Sequence, residues 1–402
     1  MKRESLQEEL KEQAGAVVAV ISIRLVLLCF VVSLLAIGIT SKQAQAAVLQ
    51  ADRVDVLYHS YDGGGMKIDG PAILLRKKTS ESFAVSAYYY VDSISSASVD
   101  VMSTASPYTE KRKEAQLGLE YLHEKTLMDI SVRQSGESDY LAKSVNLNIS
   151  QDTFGDLTNL SLGLAYSDNE IKRNGDEFFA EQSQQYRLRA GISQILTRNL
   201  SMNLNFEAVT DEGYLNNPYR SVRYVDNTQS SGVGYQSEVY PNTRNSFASK
   251  ISASYYLPYR AALFVHYRYF SDSWQIDATD VEVSYRHPIA ELFEIELKVR
   301  HYQQSQASFY SDLFAYRDAQ NYLARDKELS EFEDLTLGLG LTFLVPQKYS
   351  FGDLRSEASL QWDYIKFDYK NFRDPTAGEG VGTEPAYGFS ANVIRIFYSL
   401  YF

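Results

Sequence analysis

From Phe83 to Phe402 the chain repeats one pattern: a segment of roughly ten residues alternating apolar and polar, then a turn. Residues 334–345 show it most cleanly. Leu335, Leu337, Leu339, Leu341, Phe343 and Val345 fall on one side, with Asp334, Thr336, Gly338, Gly340, Thr342 and Leu344 on the other. Successive side chains of a strand point to opposite faces, so this period describes a strand with one apolar face. Its length suits a tilted strand that crosses a lipid hydrocarbon core, which takes about 9–11 residues. The same pattern recurs from 83–92 through 184–195, 261–270, 275–287 and 292–302 to 390–402, which predicts about 14 strands.

The connections alternate between short and long along most of the chain. Tight ones lie near Lys125, Phe154 and Thr197 and at 258–260 and 288–291. Long ones are predicted at 93–112, 168–183, 210–245, 303–333 and 370–389. A barrel with short turns at one rim and long loops at the other predicts this alternation. Two connections on the long side, around Gly136 and Ser271, are short, and the one around Tyr349 is longer than most on its side.

Residues 47–82 read less clearly. "DRVDVLYHSY", the turn "DGGG" at 62–65 and "AILLRKK" outline a further hairpin, which would bring the wall to 16 strands. Gly70 and Pro71 count against the second strand, because proline cannot donate to a ladder. A periplasmic extension or a segment lodged in the lumen fits these residues as well.

A soluble sandwich also alternates, so the polar faces have to help decide. On one face, with inward parity for a barrel, lie Arg187, Arg189, His266, Arg268, Glu282, Arg286, Glu294, Glu296, Lys298 and Arg300. Aliphatic residues occupy the opposite parity on each of these strands. Opposing charges across a pore wall would create a transverse field that orients ionic solutes; in a narrow barrel the same charges would pair and fill the interior. The final strand carries Ile394, Ile396, Tyr398, Leu400 and Phe402 on one side, a terminal spacing that resembles the assembly signal of outer-membrane barrels. Lipid supplies no hydrogen bonds to an open edge, so such strands must close on themselves.

The other end of the chain agrees. Residues 25–39, "LVLLCFVVSLLAIGI", follow Arg24 and lead into "SKQAQAA", where Ala44 and Ala46 supply a small-x-small cleavage pattern. We therefore expect residues 1–46 to be a secretory signal cleaved before Ala47, followed by the N-terminal segment 47–82 and a barrel over 83–402. An uncleaved anchor starting near Ala14 is the alternative, and Arg24 interrupts it. Residues 1–13 are acidic for a signal's leading region, as expected of a start codon placed too far upstream. The one cysteine, Cys29, lies inside the apolar block, so thiolate metal sites and disulfides are excluded from the mature chain. A formal charge of −12 without a basic cluster argues against nucleic acid as partner. With 31 Tyr and 20 Phe against 9 Pro, composition favours strands and water–lipid boundaries.

The stretch "SAYYYVDSISSASVDVMSTASPYTEKR" at 86–112, with "DRVDVLYHSYDGG" before it, resembles a bacterial family known as domain of unknown function 3570. The resemblance implies an outer-membrane-type barrel, often encoded near a flavin transferase and small exported redox or lipoprotein partners. It implies no catalytic residues.

Catalytic and metal signals are sparse. His59, His123, His266, His287 and His301 show no metal-ligand spacing. A barrel hydrolase would need carboxylates and a histidine at one rim, for which Asp277, Asp280 and His266 are the candidates; His301 has the parity of Val299 and points away from the lumen. No Gly-x-Ser-x-Gly elbow occurs. No catalytic residue, cofactor or metal is expected. Residues 311–329 place Leu313, Tyr316, Ala319, Gln320 and Leu323 close to one helical face, predicting a short helix in the outer loop, packed on the rim or folded inward as a lid. The loop 210–245 is rich in Tyr, Asn and Ser, and reads as a ligand-contact surface or a solvated cap.

These readings converge on an all-β transmembrane barrel of the bacterial outer membrane that acts as a channel or transport component for small polar or charged solutes. Its expected partners are outer-membrane lipids and lipopolysaccharide, the barrel-insertion machinery and those solutes. The alternative is a non-conducting scaffold for periplasmic or surface partners, with a small lipoprotein or redox protein of a flavin-linked exported system among them. A hydrolase is the third reading.

Overall fold

The computed structural model describes residues 49–98, 108–346, 354–378 and 380–402. The expected signal at 1–46 and the connection around Tyr349 lie outside the described residues.

Sixteen strands form one closed antiparallel barrel. They are β1 (Arg53–Gly63), β2 (Met66–Lys78), β3 (Phe83–Ser96), β4 (Tyr108–His123), β5 (Thr126–Gly136), β6 (Tyr140–Thr153), β7 (Thr158–Arg173), β8 (Asp176–Thr197) and β9 (Leu200–Gly213), then β12 (Thr243–Tyr256), β13 (Ala262–Asp272), β14 (Asp277–Ile289), β15 (Phe293–Gln304), β16 (Phe332–Val345), β17 (Arg355–Arg373) and β18 (Ala386–Tyr401). Each pairs with its neighbour in the chain, apart from the step from β9 to β12. There a two-stranded sheet intervenes, β10 (Ser221–Val225) with β11 (Val233–Ser237). β1 closes the circle on β18, with Val56 opposite Tyr398 and His59 opposite Arg395. Closure leaves no unpaired edge in the wall.

The N-terminal hairpin therefore belongs to the wall, and the larger of the two strand counts holds. Gly70 and Pro71 are accommodated within β2, where the ladder to β3 runs Asp69 to Ser93 and resumes at Ala72 to Tyr90. The missing proline donor falls in that gap. Gly70 is required for a separate reason: a Cβ there would lie 1.7 Å from the Val91 carbonyl oxygen.

The outward parity is apolar all the way round. Leu117, Ile130, Val145, Ile192, Val265, Val283, Leu297, Val299, Leu337 and Ile396 are exposed, Leu117 by 63% and Leu297 by 52%. Exposed aliphatic side chains on every face of a closed barrel form a lipid-facing belt. Aromatic groups flank it. Near the rim that holds both described chain ends, Phe83 stacks on Tyr121 at 4.7 Å, Phe293 meets Phe343 at 5.2 Å, and the Tyr285 hydroxyl is 2.8 Å from His287 Nδ1. Toward the other side of the belt, midway along β7, Tyr166 and Tyr186 approach to 5.2 Å. This double girdle is where amphipathic rings are favoured at a membrane.

The rim with the chain ends has mostly tight turns, at 79–82, 124–125, 154–157, 198–199, 257–261 and 290–292. The other rim carries the long connections 214–242, 305–331 and 374–385. Residues 168–183 were expected to be a long loop. They instead extend β7 and β8 into a tall hairpin turning at 174–175, with Asn169 to Ser183 and Ile171 to Glu181 in register. The polar sequence there hid a ladder that is paired well beyond the apolar belt.

The predicted helix at 311–329 is also corrected. Only a 3-10 turn forms, Lys327–Leu329, capped by the Asp326 side chain accepting from the Glu328 amide. The rest of the segment makes single β-bridges, Phe314 to Tyr224, Leu323 to Val239 and Ala324 to Tyr310. Burying its apolar side chains against other loops outweighed a weak helical period.

Candidate functional site

The loops at the long rim form a packed cap. Trp274, Phe309, Tyr310, Ala324 and Leu329 come from connections and Tyr369 and Phe372 from β17, all in one buried cluster, against which Phe270, Phe332, Phe367, Tyr387 and Phe389 pack. Phe270, Phe367 and Phe389 share the inward parity of Arg268, Asp363 and Arg395. The cap is thus seated on the inner face of the wall at its mouth rather than on the outer rim.

An ionic knot ties its three loops. Arg223 of β10, 2% exposed, donates through Nη2 to Asp312 Oδ2 at 2.5 Å and through Nη1 to Glu384 Oε1 at 2.5 Å. Arg325 Nε reaches Asp312 Oδ1 at 3.1 Å, and its guanidinium lies over Phe372 at 4.5 Å. Burial alone would push the Glu384 carboxyl up, but the hydrogen bond from Arg223 holds it below the usual carboxylate range, helped by the Gly382 amide at 2.8 Å. Buried charges of this kind persist only when paired and hydrogen-bonded.

Below the cap the inner wall is polar, and all ten lumen candidates lie on it. Of the two arrangements open to them, opposed charges across a pore or paired charges, the second describes most of them. Positive and negative residues do not segregate to opposing sides; most meet as cross-strand pairs. Arg286 Nε is 3.2 Å from Glu296, Lys298 Nζ is 2.8 Å from Asp363, and Arg300 holds both Asp280 and, at 3.1 Å, Asp334. His266 Nε2 sits 2.6 Å from Asp280, with Glu282 at 3.7 Å from its other nitrogen. Asp363 also pairs with Arg395. Lys298 reaches Asp363 across β16 because Gly338 lies between them: a Cβ there would sit 2.4 Å from Asp363 Oδ1 and 2.6 Å from Lys298 Cε.

Arg187 and Arg189 belong to a second region, since β9 and β12 separate β8 from β13. Arg189 Nε is 2.8 Å from Glu207, and Arg187 stands at 3.9 Å from the same carboxylate. Glu294 faces inward opposite Thr342, with no ion pair among the described residues.

Several inner-wall groups were missed as site residues: His59, Asp92, Glu207, Lys250, Asp334, Asp363 and Arg395. His59 Nε2 lies 2.8 Å from Asp92 and 3.2 Å from the Tyr90 hydroxyl, across the side-chain-free position of Gly70. Parity points to Glu207, Asp363 and Arg395, which stand between apolar or aromatic neighbours, and less clearly to the others, which have a polar neighbour on one side, such as Ser60 beside His59 and Glu333 beside Asp334.

Of the three hydrolase candidates, His266 and Asp280 meet at 2.6 Å and Asp277 stands apart. Asp280 faces inward with His266, whereas Asp277 has the outward parity and accepts from the Tyr269 hydroxyl at 2.7 Å. His301 faces outward near Glu333 at 3.9 Å, as its parity required. Among the described residues no three His, Cys, Asp or Glu side chains converge as a metal site would need.

The wall also contains a recess of about 330 Å³, lined by Asn148, Ser161, Gly163, Asn205, Lys250 and Arg268 among others. Small side chains on β6, β7 and β12 leave this space open.

An apolar outer belt, aromatic girdles, closure and a charged inner wall define a transmembrane β-barrel. The chain belongs to the family described as protein of unknown function DUF3570, which matches residues 97–362. Solved structures similar in fold include the siderophore receptor PirA from Pseudomonas aeruginosa, at 12% identity and a TM-score of 0.43, covering 88% of this chain and 63% of that one. This chain therefore spans less than two thirds of that receptor's length. A bacterial polysaccharide outer membrane secretin is 8% identical with a TM-score of 0.47, covering 88% and 99% of the two chains. The CymD monoaromatic hydrocarbon channel is 10% identical with a TM-score of 0.42, covering 88% and 89%. No curated protein matches the chain.

Proposed function

We propose that the protein is an outer-membrane channel or transport component for small polar or charged solutes. The observation that carries this reading is the open recess of about 330 Å³ in the polar inner wall, space that a barrel plugged by its own paired charges would fill. The rim with the tight turns and both described chain ends faces the periplasm, and the capped rim faces outward. Ile394, Ile396, Tyr398, Leu400 and Phe402 serve as the signal read by the insertion machinery; the first four occupy outward positions of β18.

The cap favours a second reading, a non-conducting scaffold, because it fastens loops onto the inner face at the mouth. In that case the redox or lipoprotein partners implied by the family resemblance would dock at a rim. Osmotic swelling of liposomes holding residues 47–402 separates the two. Swelling in small polar solutes supports transport; intact, folded barrels without swelling in any solute support the scaffold.

A further inference from the structure

Lys250 and Arg268 break the pairing rule of the inner wall. They are register partners on β12 and β13, so two cations stand directly opposite each other on one face. Such like-charge pairs destabilise a sheet unless something compensates. Among the described residues neither has a carboxylate within salt-bridge distance; Arg268 lies over the Phe270 ring at 5.9 Å. Acidic groups beside them in the ladder are committed elsewhere. Asp280, the register partner of Arg268, is held by His266 and Arg300, and Glu207, one pair along from Lys250, is held by Arg189.

These two cations, with Arg189, line the recess of about 330 Å³. Its polar lining also includes Asn205, Ser161, Asn148, whose amide donates to Asp129 at 2.9 Å, and Glu207, the carboxylate that Arg189 holds at 2.8 Å. The volume is at the lower end of small-ligand sites, which span about 300–1,000 Å³. Lys and Arg together provide charge-assisted donors suited to a carboxylate or phosphate oxygen.

We propose that Lys250 and Arg268 form an oxyanion-binding subsite on the inner wall, which takes the carboxylate or phosphate group of a small solute. The bound anion supplies the countercharge that the wall withholds at this one pair. The subsite deepens the transport reading and rests on it for its role, by making small organic or phosphorylated anions the solute class.

The test uses the refolded barrel, residues 47–402, with inorganic phosphate as probe. Phosphate should raise the melting temperature of the wild type above that seen in chloride at equal ionic strength. The Lys250→Gln/Arg268→Gln variant should lose most of that increment, and should itself be no less stable than the wild type in phosphate-free, low-salt buffer because a repulsion has been removed. An increment of equal size in both proteins, or none in the wild type, overturns the subsite. Reversal potentials in a planar bilayer then address the function separately: a shift from anion towards cation preference in the variant supports the subsite within a pore. Phosphate binding without any current would leave the subsite standing and overturn the transport reading.

Discussion

The wall and the cap are held together by different physics. In the wall every strand from β1 to β18, the β10–β11 hairpin aside, is stapled to its chain neighbour, and Leu337 meets Val299 and Tyr364 through a ladder fixed by local register. In the cap the key contacts join residues far apart in sequence, as when Arg223 meets Asp312 and Glu384. The wall is a repeated solution to lipid solvation, whereas the cap is a single tertiary solution with no period. A change in the wall therefore acts on insertion, and, on the proposed transport reading, a change in the cap acts on access.

Removing Arg223 separates the two regions most strongly. Arg223→Ala strands the buried Glu384 carboxylate and leaves Asp312 to Arg325 alone, and breaking a buried pair costs about 3–5 kcal/mol. Loops 305–331 and 374–385 should become open to protease while the barrel still migrates as folded in unheated gels. Loss of the folded barrel itself would show that cap and wall form one cooperative unit.

The next effect lies in the wall. Leu337→Arg puts a charge at the middle of the lipid-facing belt and should cost about 2–4 kcal/mol of folding stability in lipid vesicles. The inward neighbour Thr336 should tolerate Ser with far less change, a contrast read from denaturant titrations of both variants.

Much of the wall was legible because one rule, period two, sets both strand identity and facing. That rule placed all ten lumen candidates inward and His301 outward from the sequence. It failed where strands continue into water: Asn169, Glu170 and Glu181 look like loop residues, yet they pair in the β7–β8 hairpin. It also failed at Gly70 and Pro71, whose place in β2 depends on the close approach of Val91. The cap was illegible for a deeper reason. Leu313, Tyr316 and Leu323 mimic a helical face, but the partners of this loop are set by three-dimensional closure of the barrel. The candidate site was half legible: parity gave the side, while which cations find a carboxylate depends on registers such as Lys250 to Arg268.

A smaller effect refines the inner wall. Gly338→Ala would push its methyl between Lys298 and Asp363, and overpacking of this kind costs about 1–3 kcal/mol. The variant should fold with a lowered melting temperature, and an unchanged value would mean that Lys298 and Asp363 do not meet across β16.

The mildest perturbation is pH. The carboxyl of Glu384 is depressed in the folded cap, so its contribution is full above the ordinary carboxylate value and disappears as pH falls through the folded one. Protection of 374–385 against hydrogen exchange, taken relative to the intrinsic rate at each pH, should therefore fall on acidification before that of the wall strands does. Arg223→Ala should flatten that dependence.

The central claim, a polar path through the wall with access set by the cap, is tested most directly by single-channel conductance of residues 47–402 in planar bilayers, wild type beside Arg223→Ala. The account predicts steady ion-selective current in the wild type and a larger one in the variant. Folded barrels of both proteins that carry no current would contradict it and leave the scaffold reading in its place.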